Sequence, residues 1–145
     1  MGKKRVVKKG GEAKEGVTAG RGTGRLSRRK LEHGVLHVQA TYNNTKVILT
    51  EPDGGAVAWS SSGSLGFKGA KKGTPFAAAQ MGELLGEKAK ALGLKEIRVV
   101  VRGVGSGRES AIRAFLARSG AVISTIEDRT PVPFNGPQPP KPRRV

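Results

Sequence analysis

The segment Arg102-Gly103-Val104-Gly105-Ser106-Gly107-Arg108-Glu109-Ser110-Ala111-Ile112-Arg113 decides how the chain reads. A β-branched run, Ile97 to Val101, leads into it, and an amphipathic stretch with Ile112, Phe115 and Leu116 leads out. The order is strand, glycine loop, helix N-terminus. Ser106 and Glu109 have the spacing of a capping box, which predicts that the helix begins there. The free N–H groups and positive dipole end of a first helical turn favour an anion. Arg102, Arg108 and Arg113 add positive charge around that point. No nucleotide signature fits, because both the P-loop and G-x-G-x-x-G need glycine where Arg108 stands. Two readings stay open: a tight connection carrying solvated arginines, or a contact for a polymeric phosphate backbone. The second is favoured.

Charge is the dominant fact outside this segment. The chain has 145 residues and a formal net charge of +16. That length fits one domain with a modest core. Such a charge points to polyanionic partners and says little about fold. Of the two common polyanions, anionic membrane is the weaker: no apolar run approaches a spanning length, and no basic stretch has an interfacial apolar face. Cysteine is absent, so neither a disulfide framework nor a thiolate metal site is available. The N-terminus lacks the apolar core of a signal peptide, and Val6 breaks the myristoylation pattern after Gly2. A cytosolic-type location is the expectation.

Residues 1–32 hold eleven Lys/Arg against three acidic residues and almost no periodic apolar positions. They read as a basic arm that is disordered when free. From Gly34 the texture changes. Leu36, Val38 and Ala40 alternate as one strand face, Tyr42-Asn43-Asn44 is turn chemistry, and Thr45 to Thr50 is a second strand. Pro52-Asp53-Gly54-Gly55 then turns the chain into a third strand, Ala56 to Ser62, completing an antiparallel meander. Residues 63–73 form a glycine-lysine loop. Thr74 caps a helix with Pro75 at its first position, Ala78, Met81, Leu85, Ala89 and Leu92 mark its apolar face, and Gly93 stops it. Gly82 and Gly86 are expected to let this helix pack closely on the sheet. Strand four, the opening loop, a helix to Ser119 capped by Gly120, and strand five to Asp128 follow. Residues 129–145 carry six prolines and four basic residues without an acid, which describes an extended tail.

The fold expected is α/β: a five-stranded mixed sheet made of a meander and two right-handed βαβ crossovers over residues 33–128. Strands one, three, four and five then share a direction. Their C-terminal ends bring the 42–44 turn, the 63–73 loop, the 103–108 loop and the start of the tail to one edge, where open α/β sheets bind ligands.

Convergent catalytic groups are not found. His33 and His37 stand about 13 Å apart on a strand, too far to share a metal. Glu83 and Glu87 lie among lysines on a helix surface. Strand one has no carboxylate for a metal-dependent nuclease site, and Glu109 is explained as a cap. Trp59, mid-strand, reads as core in preference to a stacking platform. Phe67 and Tyr42, at loop tips, either stack on bases or pin their loops. A general nucleic-acid-binding module, DNA included, is the competing class. It is disfavoured because the basic residues sit on loops and tails, with no base-reading helix.

Several motifs in order carry a likeness: Asn43-Asn44-Thr45 with His37, Gly66-Phe67-Lys68-Gly69 through Thr74-Pro75-Phe76-Ala77-Ala78, Gly105-Ser106-Gly107-Arg108-Glu109-Ser110, and Asp128-Arg129-Thr130-Pro131-Val132-Pro133. With Asn135-Gly136 and Arg143-Arg144-Val145 they make residues 33–145 closely resemble the universal small-subunit ribosomal protein eleven family, in its bacterial form. The resemblance implies a ribonuclease H-like fold without an active site, no cofactor and no metal. It implies a cytoplasmic, ribosomal location on the platform of the small subunit. There the family bridges rRNA helices and lines the cleft for the mRNA Shine-Dalgarno helix. Small-subunit proteins seven and eighteen are neighbours, and initiation factor three acts nearby. Carried over by position, Asn43, Asn44, Phe67, Lys68, Lys71, Lys72, Arg108, Arg113, Asn135, Arg143 and Arg144 are the expected RNA contacts; Arg102, Arg129 and Lys141 join them on charge and place. Val104 replaces a common proline, Gln138 a common basic residue, and Pro142 interrupts the usual Lys-Arg run, so tail contacts are weaker expectations than loop contacts.

Overall fold

The computed structural model describes residues 30–144. Most of the expected N-terminal arm therefore lies outside the described residues. Strands β1 (His33–Ala40), β2 (Thr45–Thr50) and β3 (Ala56–Ser61) form the antiparallel meander. A 3-10 turn, Gly69–Gly73, precedes helix α1 (Pro75–Leu92), then come β4 (Glu96–Arg102), α2 (Gly107–Ser119) and β5 (Val122–Asp128). The sheet order is β3-β2-β1-β4-β5, with β4 parallel to both β1 and β5. The mixed five-stranded α/β reading holds.

Thr74 caps α1 as its sequence predicts: its hydroxyl accepts from the Ala77 N–H at 3.4 Å, and Pro75 fills the first helical position. Gly93 ends the helix at φ 79°, where a side chain would be strained. The expected capping box on α2 does not form. Ser106 adopts helical angles and gives its hydroxyl to the Gly73 carbonyl at 2.8 Å, while Glu109 pairs with Arg113 one turn on. A long-range loop contact and an i,i+4 ion pair have outcompeted the local motif.

Both connections step the same way across the sheet, from β3 over β2 and β1 to β4, then on to β5. Connections of one hand that step in one direction lay their helices on one face. Leu36, Val38, Val47, Leu49, Ile97 and Val99 point to that face and close on Met81, Leu85 and Phe115, all fully or almost fully buried. Each such side chain contributes roughly 1.5–3 kcal/mol. Leu31, placed in the arm on sequence, is also buried, and its N–H donates to the Leu92 carbonyl at 3.0 Å. It closes the end of the core, so the folded unit begins slightly earlier than residue 33.

Gly82 and Gly86 serve close packing, but against α2 and not the sheet. A Cβ on Gly82 would stand 2.4 Å from the Ala111 carbonyl oxygen, and one on Gly86 would stand 2.7 Å from Cβ of Arg118. Among the described residues no helix lies over the opposite face of the sheet. Trp59, expected in the core, lies on that face with 63% exposure. Its partner across the ladder is Ile48, whereas Ala58 and Ser60 turn toward the helices.

Gly82→Ala or Gly86→Ala is expected to cost about 1–3 kcal/mol by overpacking the helix pair, a fall of roughly 5–15 °C in melting temperature. Gly63→Ala, whose Cβ would have Lys72 Cδ and Ser61 Oγ as nearest neighbours at 3.9 Å, should melt like the parent. Thermal unfolding followed by circular dichroism measures all three.

Candidate nucleic-acid interface

Backbone meets backbone where the strands end. Gly105 donates its N–H to the Ala40 carbonyl at 2.9 Å. A Cβ on Gly103 would fall 2.1 Å from the Ala40 carbonyl oxygen, one on Gly105 2.3 Å from that of Thr41, and one on Gly107 2.5 Å from Oγ1 of Thr45. The alternate glycines of the opening segment are thus required because that loop lies directly on the β1–β2 turn. Gly73, at the end of the lysine loop, lies on the same turn: its Cβ would meet the Tyr42 carbonyl at 2.0 Å. The Ser106–Gly73 bond joins the two loops.

The tail is tied in through Asp128. One carboxylate oxygen accepts from the Thr130 N–H at 2.9 Å and its hydroxyl at 2.6 Å; the other accepts from Arg108 at 2.5 Å. Arg108 also donates to the Gly103 carbonyl, and the Gly103 N–H donates to Thr130 Oγ1 at 3.1 Å. The Thr130 hydroxyl, then Arg108 and the Thr130 N–H, hold the Asp128 carboxyl down at about 2. This closed ring was not foreseen, although Asp-x-Thr is a local turn signature that could have pointed to it.

The candidate residues divide accordingly. Asn43, Lys68, Lys71, Arg102 and Arg113 are exposed, and Lys72 is half-buried. Asn44 turns its Oδ1 inward to accept from Ser62 at 2.5 Å, so that oxygen is structural. Arg108 has two nitrogens committed to the protein, Arg113 pairs with Glu109, and Arg129 binds Glu127 at 2.8 Å. Phe67 packs edge-on to Phe76 with ring centres 6.1 Å apart, which pins the lysine loop to the first turn of α1. Tyr42 is 78% exposed at the turn tip. Asn135, Lys141, Arg143 and Arg144 lie exposed on a tail without helix or strand, which turns at Phe134-Asn135. The sequence counts Arg108, Arg113 and Arg129 as free cations, whereas the structure pairs each of them with a carboxylate.

Among the described residues no group of His, Cys, Asp or Glu is placed to hold a metal ion, and no helix is long and apolar enough to cross a membrane. The fold and this edge define a basic α/β protein that presents cations on loops pinned to one end of a mixed sheet. Residues 34–144 match the family model of ribosomal protein S11, and the chain belongs to that family. It is a structural constituent of the small ribosomal subunit that binds ribosomal RNA and works among other ribosomal proteins, a non-enzymatic kind of protein.

The Asp128 ring sets a pH test. Its folded-state carboxyl lies below the ordinary 3.8, so its stabilisation is complete above that value and is lost as pH falls through about 2. The melting-temperature gap between the parent and Asp128→Asn should be largest near neutral pH and shrink over that acidic window. A gap that stays constant down to about pH 2 would contradict the ring's role.

Proposed function

We propose that the loop-and-tail edge is the rRNA-binding surface and that it seats the protein on the platform of the small subunit. The observation that carries this reading is the convergence of the lysine loop, the β1–β2 turn, the 103–107 loop and the tail at one edge, in a chain of net charge +16. Asn43, Lys68, Lys71, Lys72 and Arg102 make the principal contacts: Asn43, Lys68 and Lys71 stand exposed on the pinned loops, Lys72 is half-exposed beside them, and Arg102 stands exposed at the end of β4. Arg108 acts chiefly by positioning: it holds the tail against the 103–107 loop so that Asn135, Lys141, Arg143 and Arg144 reach a further stretch of RNA. Arg113 and Arg129 contribute through residual charge. The basic segment that precedes Leu31 engages a separate RNA segment.

On this reading the domain is a ribonuclease H-like α/β unit used as an RNA clamp in the cytoplasmic ribosome. It bridges rRNA helices and helps to line the cleft that receives the Shine-Dalgarno helix, beside proteins seven and eighteen and within reach of initiation factor three. A helix-covered face that buries the core and loops that carry the charge suit this task, because phosphate contacts position a protein without reading sequence.

Each phosphate contact releases condensed counterions, so a lost contact lowers the salt dependence of binding. Lys71→Ala combined with Lys72→Ala should reduce the log–log salt slope for small-subunit rRNA by roughly 1–2 units. Lys90→Ala, on the last turn of α1, should leave it unchanged. Filter binding at several salt concentrations measures the slopes. Co-sedimentation of the parent with small subunits in a magnesium gradient tests the assembly itself, and equal slopes for all variants would remove the lysine loop from the interface.

A further inference from the structure

Trp59 is the chain's single tryptophan, and it lies mid-strand on the sheet face that no helix covers among the described residues. The register sets Ile48 beside it, His37 beside Ile48, and Val100 beside His37, a largely apolar row across four strands. The next row toward the loop edge runs Ser61, Lys46, Gln39, Arg102. On the other side, Val35 stands between Thr50 and Arg98. Among the described residues, unpaired cations thus border the apolar row on its loop side, at Lys46 and Arg102; on the far side Arg98 is paired with Glu127, and Glu51 and Asp53 stand nearby. Lys46 is the diagonal neighbour of Trp59, within reach of a long side chain. Glu127, which ends the row opposite Val100, is bridged by Arg98 and Arg129. A hollow of about 400 Å³ opens between Lys46, Ile48, His37, Val100 and Arg102. Burial first, and then the charges of Arg102, Arg129 and Arg98, hold the His37 imidazole below its ordinary value.

We infer that this open face is a stacking platform for single-stranded RNA: an unpaired base lies on the indole of Trp59 while adjoining phosphates meet Lys46 and Arg102. The inference rests on the rRNA-binding reading and extends it from the loops onto the sheet. Charge favours RNA as the occupant, and so does continuity. Lys46 and Arg102 sit at the loop end of their strands, so RNA gripped by the loops passes directly onto the row behind them. Stacking on one aromatic tolerates any base, because every base offers a π-face.

The single tryptophan makes the test specific, with its emission read in the full-length chain. A short single-stranded oligoadenylate should quench Trp59, whereas heparin, a polyanion without bases, should bind without comparable quenching. Trp59→Ala should weaken oligoadenylate binding about tenfold and spare heparin, with Trp59→Phe recovering most of the loss. Lys46→Ala keeps the probe and should weaken the quenching transition, which covers the case of Trp59→Ala failing to fold. Equal quenching by heparin, no quenching by oligoadenylate (the result for a face that binds a peptide), or parental affinity in folded Trp59→Ala would each overturn the inference. Filter binding of the parent to small-subunit rRNA separates the two levels. Retained rRNA binding with any of those results removes only the platform; its absence removes the rRNA-binding reading as well.

Discussion

Three loops occupy almost the same space at one end of the sheet, and glycine is what lets them. With Gly73, Gly103, Gly105 and Gly107 in place, the lysine loop and the 103–107 loop rest on the backbone of the β1–β2 turn. Any Cβ there would lie 2.0–2.5 Å from a backbone or hydroxyl oxygen, a distance that forces the chains apart. The consequence is electrostatic as well as steric. Cations that flexible loops would spread through solvent are held on one rigid edge, and the entropy of ordering them is met during folding, before any RNA is bound.

The tail is secured by different physics. Asp128 accepts from Thr130 and Arg108 at once, and Thr130 in turn accepts from Gly103. These charge-assisted bonds are short, and each needs the others for its geometry. An arginine that charge counting assigns wholly to RNA is therefore largely spent on the protein. A ribosomal protein of net charge +16 must still fold against its own repulsion. Pairing Arg98, Arg108, Arg113 and Arg129 with Glu127, Asp128 and Glu109 relieves part of it.

One-sided coverage of the sheet has its own effect. Gly82 and Gly86 bring α1 and α2 into direct contact over one face, leaving the other to Trp59, Ile48 and the cations around them. An aromatic on an open, basic sheet suits a polyanion whose bases can unstack, and it is poorly suited to remaining in water. The loop edge and the open face are continuous, so membership of the ribosomal protein S11 family and the physical surface point to the same partner.

The order of elements, the caps at Thr74 and Gly93, and the gathering of basic loops at one edge were legible in the sequence, because periodicity, turn chemistry and strand direction are local or follow from connectivity. The motifs from Asn43 to Arg144 carried the family. What sequence could not settle was which partner each group would choose. Ser106 took the Gly73 carbonyl over a capping box, Arg108 took Asp128, and Gly82 and Gly86 met a helix in place of a strand. Trp59 faced solvent because β3 register, decided by its pairing with β2, set its parity. Those choices compare contacts far apart along the chain, and only the packed tertiary structure brings the competing groups within reach of one another.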